Sequence, residues 1–173
     1  ASGMRLADFL EQRLFKPLRM QDTAFHVAPD KTNRLAAPLP KDAATGNVYK
    51  VIDVSAPPKN DSGGAGAVST AADYVRFAQM LLNGGTLEGK RYLSAAAMTL
   101  LTKSQTGSLP TGFMQSDTYG NRGANYAWGI GTCILLAPHE GVAAMLSPGS
   151  YGHGGAWGTQ AWIDPVKGVG SGD

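Results

Sequence analysis

Cysteine is almost absent: Cys133 is the single one in 173 residues. One thiol excludes an internal disulfide framework. Its place in the apolar run Cys133-Ile134-Leu135-Leu136 predicts a buried structural side chain rather than a nucleophile. Charge is scarce as well. Asp, Glu, Lys and Arg make up 16% of the chain, and 15 basic against 13 acidic residues leave a net +2. No basic cluster interleaved with aromatics occurs, so a nucleic-acid partner is not expected. No apolar run approaches the length of a membrane-crossing helix, and no signal-peptide pattern opens the chain. The histidines, His26, His139 and His153, have no short metal-ligand spacing, so neither a metal nor another cofactor is expected.

Glycine is plentiful instead, at 23 of 173 residues or about 13%, against a usual share of about 7%. The glycines fall in turn-like clusters without a fixed period, which excludes collagen and predicts a loop-rich α+β body. A chain of this length can bury about 70% of its unfolded surface in one core. The first residues run at once into a helical pattern, and Lys167 to Asp173 has linker-like composition. Both ends read as cut from a larger fold.

Leu6, Leu10 and Leu14, with charged residues between them, predict an amphipathic helix capped by Ser2 and stopped near Phe15 by Pro17. Residues 26 to 62 hold five prolines, at 29, 38, 40, 57 and 58, and read as a long surface excursion with one short strand near Val48 to Val54. Asp61-Ser62-Gly63-Gly64-Ala65-Gly66-Ala67-Val68-Ser69-Thr70 lacks the Gly-Lys-Ser/Thr ending of a phosphate loop, and reads as a close-packed turn feeding a helix. Thr70 and Asp73 resemble a capping box for that helix. Tyr74, Phe77, Met80 and Leu81 supply its apolar face, and Asn83-Gly84-Gly85 end it. Ser94 is expected to cap a second helix, Ala95 to Thr102. Tyr126 to Leu136 reads as one strand, Val142 to Leu146 as its returning partner, and Trp157 to Asp164 as a third. His139, in the turn before Val142, is expected to be solvated, and His26 to be structural.

The most informative stretch runs from Ser150 to Pro165. In it Gly152-His153-Gly154-Gly155 enters a strand-like segment. Glycines let backbone or ligand approach where a Cβ would clash, and a histidine there can exchange a proton near neutral pH. By itself the pattern reads more readily as a tight turn with a solvated histidine.

Taken in order, several segments resemble the C-terminal part of a serine β-lactamase-type hydrolase, a family that includes class C β-lactamases, D-alanyl-D-alanine carboxypeptidases and related esterases. Ser2-Gly3-Met4 through Thr23 resembles the helix and turn after the family's Tyr-x-Asn box. Gly63-Gly64 through Asp73 resembles its Gly-Gly-x-x-Ser-Thr-x-x-Asp helix entry. Tyr126-x-Trp128-Gly129-Ile130-Gly131 resembles the family's Tyr-x-x-Gly-x-Gly-Trp type of strand, and Gly152-His153-Gly154-Gly155 stands where the family has Lys-Thr-Gly or His-x-Gly.

The resemblance implies an α+β fold of the β-lactamase/transpeptidase type, with helices over about 1–120 and strands over about 126–165 of one domain. It implies acyl transfer through a serine ester, on β-lactams, esters or D-Ala peptides. His153 would act in the site, the N–H of Ala156 would hold the oxyanion, and Gly154, Gly155 and Trp157 would touch substrate. A periplasmic or secreted location would follow. The chain departs from the pattern in one decisive respect: residues 1–173 contain no Ser-x-x-Lys. Tyr119-Gly120-Asn121 matches Tyr-x-Asn but comes after the Gly-Gly-x-x-Ser-Thr segment, not before it, and reads as coincidence. The strand and terminal helix that follow this point in the family are expected to be missing after Asp164-Pro165. The chain is thus expected to be inactive alone and to need the missing N-terminal half of the same fold. A non-catalytic binding module of the same family is the alternative.

Overall fold

The computed structural model describes residues 2–37, 39–48, 52–109, 115–116, 120–155 and 159–172, with backbone only at 115–116, 120–122 and 171–172. The chain divides into two compact units, Ala1–Tyr74 and Val75–Asp173.

The first unit opens with α1, Leu6–Leu10, which continues as a wider π-helical turn over Glu11–Phe15. Lys16 and Met20 N–H groups donate five residues back, to Glu11 and Phe15. Pro17 has no N–H to offer a regular helix, so the ladder widens and ends. Arg19, at φ 58°, completes the stop. Ser2 does not cap this helix. Arg5 holds the cap position without a side-chain bond, and Ser2 reaches only the Met4 N–H. The cap comes from far along the chain: the Asp61 carboxylate accepts the Ala7 N–H at 2.9 Å and pairs with Arg5 at 2.8 Å. A carboxylate placed there also suits the positive end of the helix.

Phe15, Leu18, Met20 and Phe25 are buried within this unit. The glycine segment packs on Phe25, since a Cβ on Gly66 would lie 3.0 Å from the Phe25 ring and 2.7 Å from the Ser62 carbonyl. Ala24 and Val68 form a backbone bridge there. Residues 52–54 form no strand, and Val48 makes only an isolated bridge to Lys41. The rest of the expected strand, 49–51, lies outside the described residues. Among the described residues of this segment, the Val54 carbonyl accepts the Val27 N–H at 2.7 Å, a single backbone bond rather than a ladder.

Helix α2, Ala71–Leu82, crosses the boundary between the units. Thr70 Oγ1 accepts the Asp73 N–H at 3.2 Å as expected, but Asp73 does not complete the box. Its buried carboxylate accepts instead from the Asp22 N–H at 2.6 Å and the Thr23 hydroxyl at 2.8 Å. Gly84 and Gly85, at positive φ, end the helix, with the Gly85 N–H returned to Met80.

In the second unit, short strands β1 (Thr86–Leu87) and β2 (Lys90–Arg91) pair, and α3 spans Ala95–Thr102 under its Ser94 cap, which accepts from Ala97 at 3.1 Å. Strands β3 (Gln115–Ser116) and β4 (Gly120–Asn121) pair antiparallel. The main sheet is fully antiparallel, in the order β5 (Tyr126–Trp128), β6 (Cys133–Leu135), β7 (Tyr151–Gly154), β8 (Gln160–Asp164) and β9 (Val169–Gly172).

Three sequence expectations are corrected here. Tyr126 to Leu136 is not one strand but a hairpin folded at Gly129-Ile130-Gly131-Thr132, with Trp128 opposite Cys133; Gly131 at φ 77° makes the reversal possible. Gly141–Met145 is a 3-10 helix rather than a returning strand. A further strand does follow Asp164-Pro165: β9 pairs along β8 from Asp164↔Val169 to Ala161↔Gly172. The linker-like composition of its glycines concealed a strand whose hydrogen bonds come from backbone, not from side-chain propensity.

One sheet face buries Tyr126, Cys133, Leu135 and Trp162 with Ala143 of the 3-10 turn, and Trp128 and Leu146 pack against that cluster. On β7, Tyr151 sends its hydroxyl to the Leu81 carbonyl of α2 at 3.1 Å. A Cβ on Gly170 would lie 3.5 Å from Ala78. The second half of α2 therefore lies against β7 and β9.

Candidate active site

His153 lies inside strand β7, opposite Ala161 of β8, not in a turn before a strand. Its side chain is exposed while Tyr151 and Gly152, just before it, are buried. The glycines around it answer to different constraints. A Cβ on Gly152 would strike the Ala161 carbonyl and come within 2.8 Å of the Trp162 Cα. That is backbone against backbone, which cannot yield cheaply. At Gly154 the nearest obstacle is the flexible Gln160 amide, and at Gly155 it is the Thr159 hydroxyl. The Gly155 N–H donates to the Thr159 carbonyl at 2.7 Å and closes this end of the hairpin. Ala156 and Trp157 lie outside the described residues, as does Tyr119.

The imidazole of His153 is held on two sides. Its Nδ1 makes a hydrogen bond with the Gly154 carbonyl, and its ring centroid lies 5.6 Å from Trp128, tilted by 31°. The turn after Trp128 is in turn pinned to the end of α3. Ile130 N–H donates to Leu100 at 3.0 Å, and the Thr132 hydroxyl donates to the Leu101 carbonyl. A Cβ on Gly129 would run into that same carbonyl. Sequence reasoning did not pair Trp128 with His153; the Tyr-x-Trp-Gly spelling was the available signal, but only the β5–β6–β7 order brings the rings together.

The other singled-out groups fall elsewhere. His139 is half-buried, not solvated: its Nε2 and the Tyr126 hydroxyl lie 2.5 Å apart and the rings meet edge-on at 5.2 Å. Burial pushes the Cys133 thiol up to about 11 against the partial opposition of the Ile134 N–H, so it is a protonated core group. Asp164 is fully buried. Burial alone would raise its pKa, yet N–H groups of Lys167, Ser147 and Val166 outweigh it and hold the carboxyl below its usual value. Asp164 thus ties the β8–β9 turn to the start of the loop into β7, a role that the Asp-Pro-Val-Lys-Gly spelling hinted at as a turn. Among the described residues no group of three or more His, Cys, Asp or Glu could hold a metal ion. No helix among them is long and apolar enough to cross a membrane.

A sequence model of the β-lactamase family matches residues 1–172. The chain belongs to the β-lactamase family. Among curated relatives, penicillin-binding protein 4 of Amycolatopsis lactamdurans is 31% identical over 179 residues, a match covering 98% of this chain and 40% of that protein. Among solved structures, unliganded simvastatin synthase (LovD) of Aspergillus terreus superposes with a TM-score of 0.76 at 23% identity, over 99% of this chain and 45% of that one. EstCE1, described as a hydrolase with promiscuous acyltransferase activity, gives 0.67 at 19% identity, over 98% and 45%. This β-lactamase-family chain therefore has the β-lactamase/transpeptidase-like α+β fold in part. It spans less than half the length of the relatives it matches.

Proposed function

We propose that this chain is part of a serine hydrolase working through an acyl-enzyme on esters, β-lactams or D-Ala peptides, and that β7 is one wall of its active site. The observation that carries the reading is the exposed His153, oriented on both sides, on a strand whose Gly152 admits no side chain. An unfunctional strand end has no need of an aromatic-backed, carbonyl-anchored imidazole in solvent. In this reading a serine attacks the substrate carbonyl, forming the C–O bond of a tetrahedral adduct. Collapse breaks the ester C–O or amide C–N bond, the serine's proton passing to the departing oxygen or nitrogen. An alcohol or D-alanine leaves, or the lactam ring opens with its amine still attached, and water hydrolyses the acyl-serine. His153 orients substrate or joins the proton network, the N–H of Ala156 stabilises the oxyanion, and Gly154, Gly155 and Trp157 contact substrate. The nucleophile and its lysine are supplied by the remaining half of the fold, which residues 1–173 do not contain. A periplasmic or secreted setting fits such substrates.

Acyl-enzyme trapping tests the proposal. The complete protein, mixed with a nitrophenyl ester or a chromogenic cephalosporin and quenched, should carry an acyl adduct on one serine by mass spectrometry. Absence of both adduct and turnover, with retained ligand binding, would instead support a catalytically inactive binding module.

A further inference from the structure

Gln160 opens β8 directly opposite Gly154 of β7. Residues opposite each other on antiparallel strands share a face, and so do residues two apart along one strand. Gln160, Gly154 and Trp162 therefore stand on the same side of the sheet. The Gln160 amide reaches over Gly154, where a Cβ would meet its Nε2 at 2.8 Å and its Oε1 at 3.2 Å. Glycine leaves the place that the amide takes.

An untethered glutamine amide could face either way. Here the Trp162 indole decides, because its Nε1–H donates to Gln160 Oε1 at 2.9 Å and an indole nitrogen is a donor only. Trp162 is itself buried among Tyr126, Cys133 and Leu135, so it holds the amide from a fixed point. With the oxygen committed, the other end of the amide is Nε2, which carries two N–H donors. Among the described residues no acceptor takes them, and the side chain is only half-buried. Satisfying the indole calls for an acceptor alone, which a glutamate would supply as well. What glutamine adds is a donor over Gly154.

We propose that Gln160 is a substrate-contacting residue whose Nε2–H donates to a second oxygen on the acyl chain, distinct from the one at the reacting carbon. The inference rests on β7 being a wall of the acyl-transfer site. In that site the N–H of Ala156 holds the oxyanion, two residues beyond Gly154, and two residues of chain span at most about 7 Å. The oxygen that Gln160 reaches is then about three to five bonds from the scissile carbonyl carbon. A ketone, ester or amide oxygen serves, since a neutral carboxamide donor needs only a lone pair to bind. The acyl chain, unlike the departing group, stays tethered through both steps, so one fixed donor supports acylation and deacylation alike.

The test uses the complete protein with nitrophenyl levulinate and its homologues with one and two further methylenes before the ketone. Each is compared with its parent ester lacking the ketone. Wild type should favour at least one keto ester by about three- to tenfold in kcat/KM, the worth of one neutral hydrogen bond, with the gain mainly in KM. Gln160→Glu keeps an acceptor for the indole but has no donor. It should abolish the preference while the Trp162 indole N–H keeps its wild-type protection from exchange. Gln160→Met loses both ends, so it should abolish the preference and expose the indole N–H; melting curves show that each variant is folded. A second readout needs no turnover. In protein labelled with 15N-glutamine, the side-chain signal lost in Gln160→Met identifies Nε2, and levulinamide or one of its two homologues should shift it where pentanamide does not. A keto preference that survives in folded Gln160→Glu overturns the inference. So does turnover with no keto preference and no shift of Nε2, which leaves the acyl-transfer reading standing. A shift of Nε2 with no ester turned over upholds the contact and ends the acyl-transfer reading.

Discussion

Glycines of the second unit separate structural from functional need at single positions. Gly129→Ala and Gly152→Ala would each drive a Cβ into a neighbouring carbonyl, Leu101 and Ala161 respectively. Neither backbone can retreat without breaking its ladder, so each should cost about 2 kcal/mol or more in urea unfolding. Gly155→Val is of another kind, because its obstacle is the Thr159 hydroxyl, which can rotate away. It should lower stability less, yet reduce kcat/KM of the complete enzyme by on the order of a hundredfold if the strand end bears the oxyanion donor. Equal kcat/KM per folded molecule would remove this strand from the active site.

Cys133 offers a simpler check. With its thiol raised to about 11, about one molecule in a thousand is thiolate at pH 8. Burial closes access too, so a thiol reagent should label it only on unfolding. Its raised value also sets an alkaline limit. The stabilisation from keeping the thiol protonated is complete below the ordinary value of 9.0 and is lost as pH rises through about 11. Cys133→Ser should flatten that part of the stability profile. Acid stability in the first unit has the opposite sign. Arg34 and then Lys31 hold Asp22 down to about 2 from 3.8, so its contribution is present above pH 3.8 and fades toward pH 2. In Asp22→Asn the melting temperature should change less over that window.

Elements here are closed by groups distant in sequence. The N-terminus of α1 takes its acceptor from Asp61, and Asp73 of α2 binds the Asp22 and Thr23 donors. Asp73→Ala should therefore strand two donors and cost about 1–3 kcal/mol, loosening the turn at residues 20–23 as read by amide exchange. A helix effect alone would leave that turn protected. The helical periodicity of residues 6–14 and 71–82 was legible because leucines and aromatics recur every turn. The hairpin at Gly129 was not, since its two short strands and the turn between them form one apolar run with no polar break to divide it.

At the scale of the whole molecule, the main sheet has β5 and β9 at its ends among the described residues, and strand edges that carry unpaired N–H and C=O groups invite pairing. Residues 1–173 expressed alone should associate or require the remaining half of the fold, as light scattering would show; a monodisperse monomer with a sharp two-state melt would count against this. The same chain should hydrolyse neither a chromogenic cephalosporin nor a nitrophenyl ester above background, for want of a Ser-x-x-Lys. Turnover abolished by Tyr119→Phe would reverse that and restore Tyr119-Gly120-Asn121 as a motif.

Family and α+β class were already written in the order of short motifs, because turns, caps and close approaches each demand particular residue types locally. What the sequence could not convey is which distant groups meet. Trp128 reaches His153 only because β5, β6 and β7 fold into one sheet, and Asp61 reaches α1 only after a long excursion returns. Tyr126 and His139 meet because a 3-10 turn, not a strand, follows the hairpin. Such meetings are decided by packing and backbone pairing, whose partners are chosen in space and leave no spacing rule along the chain.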